Sequence, residues 1–332
     1  MNQPIKVAVI GAGGWGYQHA RAYSSRKDTF LCSITGRTEE RTRKRAEEFG
    51  VPYYLNIGQM IEEQKPDLIS ICMPGQQTFA PTMEVIKSGI PLLAEKPLAY
   101  DMGEAKMLIE EAEKRNLFFA IDFNHRYSIP AIMAKEDIEK GRLGELLFAS
   151  WRFGHGSGEL NHPYLNLIEA QCHGFDLLEY LCGPIRSVMA QMTDKSGKKS
   201  FSTFSIALEF QNGGVGTFLG TFDSSEFYPL SQYVELNGTK GRIWMEDSVG
   251  KYSFQRVDSR RAEVWNPAFF QDEERSFSHN LDRHLDALIP ALLKGEQPPV
   301  PAQKGLRALE LAYAAIESFE TGRRVEILSK IY

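Results

Sequence analysis

The sequence predicts an α/β protein of two domains: an N-terminal doubly wound parallel sheet, then an α+β domain on a largely antiparallel open sheet. Three observations predict it. Short apolar runs alternate with helical patterns from residue 5 to about 121. A glycine-rich turn, Gly11-Ala12-Gly13-Gly14-Trp15-Gly16, follows the first run. Beyond residue 184 successive strand patterns are separated by turn sequences.

The apolar runs at 5–10, 29–34, 68–73, 91–94 and 117–121 lack polar alternation. Strands covered on both faces read that way. Helices are expected over 15–26, 38–49, 57–64, 78–88 and 102–115, the last opened by an Asp101/Glu104 capping box. Repeated βα units imply a doubly wound sheet. Next come a helix near 129–140, a strand over 145–153, a Gly- and His-rich loop at 154–163 and a helix over 165–181. Strands then fill 184–265, broken by "KSGKK", "QNGG" and "LNGTKG", and helices near 278–294 and 303–321 are split by "GEQPPVP". The expected division is a first domain over 1–123 and a second over 124–332.

The chain has 332 residues, 42% apolar and 24% charged, which is ordinary globular composition. A net charge of −5 argues against a general nucleic-acid binder. No apolar run approaches the ~20 residues of a membrane span, and no secretory leader pattern is visible. Cys32, Cys72, Cys172 and Cys182 form no C-x-x-C pair. The expected setting is cytosolic, and the expected partner is a small molecule, without nucleic acid or membrane.

The glycine turn is G-x-G-x-x-G between a buried strand and a helix, the context a dinucleotide site requires. Gly11 permits the tight turn, Gly13 and its neighbours Ala12, Gly14 and Trp15 let backbone approach a pyrophosphate, and Gly16 lets helix pack on strand. The helix N-terminus then faces the phosphates. His19, further along, reads as a packing residue. An acidic residue about 20 positions on would grip a ribose 2′-hydroxyl. Gly36 stands there instead, followed by Arg37, Thr38 and Arg41, then Arg43, Lys44 and Arg45. A 2′-phosphate is repelled by a carboxylate and welcomed by a guanidinium fork, a hydroxyl and a helix start. NADP(H) is therefore expected over NAD(H), which stays possible if Arg37 stacks on adenine. Thr38 is the expected N-cap of the following helix.

Two further stretches carry chemistry. Glu95-Lys96-Pro97 ends the fourth main strand, the edge where ligands of open α/β sheets bind. A lysine there can polarise a substrate oxygen and stabilise an alkoxide. In "LIEAQCHGFDLLEYL", Glu169 and His173 are i and i+4, and Asp176 lies three further on. A neutral imidazole can take a proton from an alcohol losing hydride, and Glu169 can orient the ring. In the loop before that helix, Arg152, His155, His162, Tyr164 and Asn166 are candidates for gripping hydroxyls. No metal site is expected, since His155 and His162 lack a third ligand at plausible spacing.

These motifs together resemble the glucose–fructose oxidoreductase, inositol dehydrogenase and rhizopine-catabolism (Gfo/Idh/MocA) family. The resemblance rests on GAGGWG with His19, Met73-Pro74, "EKP" at 95–97, "FNHRY" at 123–127, and His173-x-x-Asp176. It implies hydride transfer between NAD(P) and a sugar, inositol or related polyol, with Lys96 and His173 as the catalytic pair. It places Glu95 on the nicotinamide side, Asn124 and Arg126 in the cleft between domains, with Asn124 toward the cofactor and Arg126 toward the substrate, and backbone contacts at Met73 and Pro74. It also implies that the first domain binds the dinucleotide and the second binds substrate and mediates oligomers. It implies dimers or tetramers through the C-terminal sheet and a cis Lys96–Pro97 bond. Glu169 departs from the family's commoner Asp. Two rival readings are a non-catalytic NADP-sensing regulator on the same fold and a dehydrogenase of a non-sugar alcohol such as a dihydrodiol; retention of both Lys96 and His173 argues against the regulator.

Overall fold

The computed structural model describes residues 3–158, 160–225 and 227–327. Six parallel strands form the first sheet: β1 (Ile5–Ile10), β2 (Thr29–Thr35), β3 (Tyr53–Tyr54), β4 (Leu68–Ile71), β5 (Leu92–Ala94) and β6 (Phe119–Ile121), in the order β3-β2-β1-β4-β5-β6. This is the doubly wound order, and the switch point between β1 and β4 lies where the glycine turn begins. Every residue of β4, β5 and β6 is buried, as the unalternating apolar runs foretold. The tiny β3, which carries no such run, is an addition to the expected set. Asp101 caps its helix through a bond from the Glu104 N–H, 3.0 Å. Thr38 occupies the expected N-cap of helix Glu39–Phe49, with extended backbone and no side-chain cap bond.

The second sheet has nine strands: β7 (Leu146–Gly154), β8 (Ile185–Thr193), β9 (Thr203–Phe210), β10 (Val215–Thr221), β11 (Gln232–Gly238), β12 (Gly241–Glu246), β13 (Lys251–Arg256), β14 (Ala262–Trp265) and β15 (Val325–Glu326). All pairings are antiparallel except β7 with β10. Helix Cys172–Cys182 packs on this sheet. Phe175 stacks on Phe218 of β10 with ring centroids 4.5 Å apart, and Trp151 of β7 closes the cluster.

The chain forms two compact units, and the division differs from the simple cut after residue 123. Residues up to Phe123 join Leu281–Leu306 in one unit; Asn124–Asn280 and the chain from Arg307 onward form the other. The cause is an amphipathic stripe on helix His279–Lys294. Leu281, Leu285, Leu288 and Ile289, spaced for one helix face, are wholly buried in the core of the first unit. Periodicity announced the helix but could not say which core it completes. Among the described residues no helix is long and apolar enough to cross a membrane.

Candidate active site

The glycine turn is built for a ligand rather than for a bend alone. A Cβ on Gly16 would sit 1.9 Å from the Gly11 carbonyl oxygen, so strand and helix meet more closely than any side chain allows. Gly11 itself has φ +131°, out of reach for most L-residues. At Gly13 and Gly14, by contrast, an added Cβ would meet nothing within 4 Å. The backbone there faces open space at the start of helix Gly14–Ser25, whose cap position, Gly13, supplies no side chain. A recess of about 390 Å³ opens beside it, lined by Ala12, Gly13, Gly14, Arg41, Lys44, Arg45 and Glu48. Backbone N–H groups at a helix start beside three cations suit the phosphates of a dinucleotide.

Gly36 follows β2 and its N–H bonds to the Tyr54 carbonyl at 3.0 Å. A Cβ here would lie 2.4 Å from the Thr42 hydroxyl oxygen and 3.4 Å from the Ala12 side chain. A ribose-gripping carboxylate has no room at this position. Arg37 and Thr38 are exposed just beyond it. Arg45 lies over the Tyr17 ring, 4.7 Å from its centroid, which orients that cation.

At the far end of β5, Lys96 is half-buried and the Lys96–Pro97 bond is cis. Glu95 faces inward, not outward. One of its oxygens lies 3.1 Å from Nε2 of His19 and the other accepts the Lys96 backbone N–H at 3.2 Å. This corrects the expectation that Glu95 lines the nicotinamide: both carboxylate oxygens are engaged within the protein. His19 also meets the Ser70 hydroxyl at 2.7 Å, and Asp122 bonds His284 at 2.7 Å. Burial opposes charge on Asp122, but His284 and His19 beside it hold its carboxyl below the usual range. Sequence reasoning passed over this cluster. The available signal was a histidine three residues past the third glycine, on the buried side of its helix beside Ala20 and Tyr23. Met73 and Pro74 follow β4 next to the glycine turn, since the Cys72 N–H bonds to the Ile10 carbonyl.

In the second unit, His173 lies in the first turn of helix Cys172–Cys182, buried and ring-on-ring with His125, centroids 4.2 Å apart. His125 Nδ1 is 3.1 Å from the Gln232 amide nitrogen. The expected single helix over 165–181 is broken. Asn166–Ala170 form a π-helical turn in which the Gln171 N–H bonds five residues back to Asn166. Gln171 pins the junction by accepting from the Trp151 indole at 2.9 Å and donating to the Phe153 carbonyl at 3.2 Å. Glu169 and His173 therefore straddle a junction rather than share one regular helix. Asp176 is committed to Arg126 through two bonds of 2.7 and 2.5 Å.

Three expected substrate contacts are structural instead. Asn166 is wholly buried, its amide donating to the Ser202 carbonyl and accepting from Gln171. Arg126 is buried, forked onto Asp176 and stacked 4.6 Å from the Tyr180 ring centroid. The Tyr164 hydroxyl donates to Glu320 at 2.9 Å and its ring stacks on Phe201; burial and that carboxylate push its pKa up to about 12. Arg152 bonds the Leu230 carbonyl. His162 accepts the Tyr164 N–H, and His155 bonds its neighbour Gly156. Asn124, expected to touch the cofactor, is buried in a short turn, Asn124–Tyr127.

Residues 5–123 match the NAD-binding Rossmann fold of an oxidoreductase family, and residues 135–327 match that family's C-terminal alpha/beta domain. The myo-inositol 2-dehydrogenase of Thermotoga maritima is 26% identical over 97% of this chain and 98% of its own length. The D-glucoside 3-dehydrogenase of Escherichia coli is also 26% identical, over 98% of each chain. Among solved structures, an oxidoreductase from Agrobacterium radiobacter in complex with NAD+, L-tartaric acid and magnesium superposes with a TM-score of 0.88 at 18% identity, covering 98% of both chains. The glycine turn, the EKP edge and the two matched domains agree, and the chain belongs to the Gfo/Idh/MocA oxidoreductase family.

Proposed function

We propose that the protein is a cytoplasmic, NADP-preferring oxidoreductase acting on a cyclic polyol or sugar-like alcohol. The observation that carries this reading lies within one unit: an open glycine cradle beside Arg41, Lys44 and Arg45, with Lys96 held by Glu95 at the carboxyl edge of the same sheet. The named substrates of the relatives, an inositol and a glucoside, support the substrate class. Free thiols at all four cysteines fit a reducing compartment.

A bound dinucleotide would supply the hydride acceptor that oxidation of the alcohol carbon requires. The chain's own side chains do the rest. Lys96 grips the substrate oxygen, and its ammonium charge stabilises the developing alkoxide. His173 takes the hydroxyl proton, and Glu169 orients its ring. Arg152 is retained as a substrate-gripping residue. In the reducing direction the same groups return proton and charge. Backbone at 11–15 and at Met73 and Pro74 holds the dinucleotide. The preference for NADP rests on charge and space. A 2′-phosphate gains from Arg37, Thr38 and Arg41, while the blocked Cβ position at Gly36 excludes the carboxylate that would favour a bare ribose.

Self-association through the nine-stranded sheet belongs to the same proposal. Phe148 and Val215, paired across β7 and β10, stand exposed beside each other on that sheet. Initial rates on a panel of inositols and sugars, followed by absorbance of the reduced cofactor, test the reading. Turnover of a cyclic polyol with kcat/KM higher for NADP+ than for NAD+ is expected. Tight NADP binding with silence across the panel would favour a sensing protein instead.

A further inference from the structure

We infer that His19 is a positioning residue which, through Glu95, sets Lys96 at the carboxyl edge of the first sheet and ties it to the helix that opens at the glycine turn. Its kinetic consequence rests on the oxidoreductase reading above; its geometry stands alone. His19 lies in helix Gly14–Ser25 with its side chain fully buried. Nδ1 reaches Ser70 on β4 at 2.7 Å, and Nε2 reaches Glu95, just past β5, at 3.1 Å. Asp122, just past β6, lies 3.8 Å from Nε2. One imidazole thus spans three neighbouring strand ends. Glu95 spends one oxygen on this ring and the other on the peptide N–H of Lys96. The carboxylate cannot turn without losing one of the two.

The groups facing His19 are the carboxylates of Glu95 and Asp122, the Ser70 hydroxyl, the Cys72 sulfur and the Tyr23 ring, with His284 and Lys96 acting on Asp122. Burial opposes charge on His19, but Cys72 and Glu95 outweigh it, and its pKa is raised well above the ordinary 6.5. Burial likewise pushes the Cys72 thiol up. An imidazolium donates from both nitrogens, which is what Ser70 and Glu95 can accept. His19, Glu95 and Asp122 bring ligand atoms within 4.8 Å of one another, a spacing a metal could also use. Hydrogen bonds at both ring nitrogens already account for it. A buried ion pair is a poor way to gain stability compared with apolar packing. Its use here is to fix the direction of Glu95 and, with it, the peptide from which the Lys96 side chain springs.

The test compares wild type, His19→Leu and His19→Gln with cofactor saturating, alongside the stoichiometry of cofactor binding. His19→Leu should lower kcat about 10- to 100-fold, the scale of a misplaced catalytic group, with full binding stoichiometry and little change in cofactor affinity. His19→Gln, whose amide can donate to Glu95, should recover most of that loss. Wild-type kcat in His19→Leu, or equal losses in both variants, would overturn the inference. Imidazole ¹⁵N resonances read the network without turnover. Wild-type His19 should carry a proton on Nε2, the nitrogen that meets Glu95, and Glu95→Gln should shift that resonance; an Nε2 without a proton, or one that Glu95→Gln leaves unmoved, would overturn the inference, even if His19→Leu fails to fold. If Lys96→Ala keeps wild-type rates, the oxidoreductase reading fails, and the resonances still judge the His19–Glu95 link.

Discussion

The turn that opens helix Gly14–Ser25 and the turn that opens helix Cys172–Cys182 are made in opposite ways. The first is stripped of side chains, its glycines placed so that strand and helix nearly touch while Gly13 and Gly14 face open space. The second is crowded with side chains. Gln171 and Asn166 knit a π turn to β7 and to the Ser202 carbonyl, and His173 follows with its ring against His125. The difference teaches where each kind of function resides. A backbone cradle serves a ligand common to many proteins. A side-chain turn fixes one imidazole, and most of its polar groups are consumed in doing so.

Replacing His173 with alanine is the strongest way to sharpen this contrast. Turnover should fall about 10²- to 10⁴-fold, the usual weight of a general base, while cofactor titration remains near wild type. Loss of both together would mean that the crowded turn supports the fold alone. At the stripped turn the expected effect is smaller and selective. Arg37→Asp with Arg41→Asp should weaken NADP(H) by about 10-fold or more, the scale of charge-assisted hydrogen bonds, and NAD(H) far less. Equal weakening of both dinucleotides would break the cofactor argument.

Legibility followed the same contrast. The strands and the glycine turn were readable because their signals are local: unbroken apolar runs and a spacing of small residues within six positions. The EKP edge was readable as a position, though the inward aim of Glu95 was not. His19 looked like packing because its partners Ser70 and Glu95 lie 51 and 76 residues away. Asn166 and Tyr164 looked like substrate contacts because polar loop residues invite that reading, and Arg126 because the FNHRY resemblance implied it. Their partners Ser202, Glu320 and Asp176 are likewise distant in sequence. The π turn leaves no periodic trace, and the burial stripe on helix His279–Lys294 does not reveal which unit it serves.

Stability measurements probe the smaller terms. Because His19 has a raised pKa in the folded chain, its stabilisation is complete below the unfolded value of 6.5. It is lost as pH rises from there through the folded value, where only the folded state holds the proton. Denaturant unfolding should show stability falling over that window, by no more than about 1.4 kcal/mol per pH unit for this one proton. His19→Gln should flatten the slope; an unchanged slope would remove His19 as its source. Asn166→Ala should cost about 1–3 kcal/mol by leaving buried partners unmatched. Tyr164→Phe should cost about 1 kcal/mol. Neither should alter substrate KM beyond the loss of folded protein, and a large KM effect would return them to the substrate site.

The most direct test is the single-turnover rate of Lys96→Ala with cofactor and the best polyol both saturating. A fall of about 10²-fold or more, with dinucleotide still bound at full stoichiometry, is the predicted result. A rate equal to wild type would contradict the account, because the amine at the end of β5 would then have no part in the chemistry.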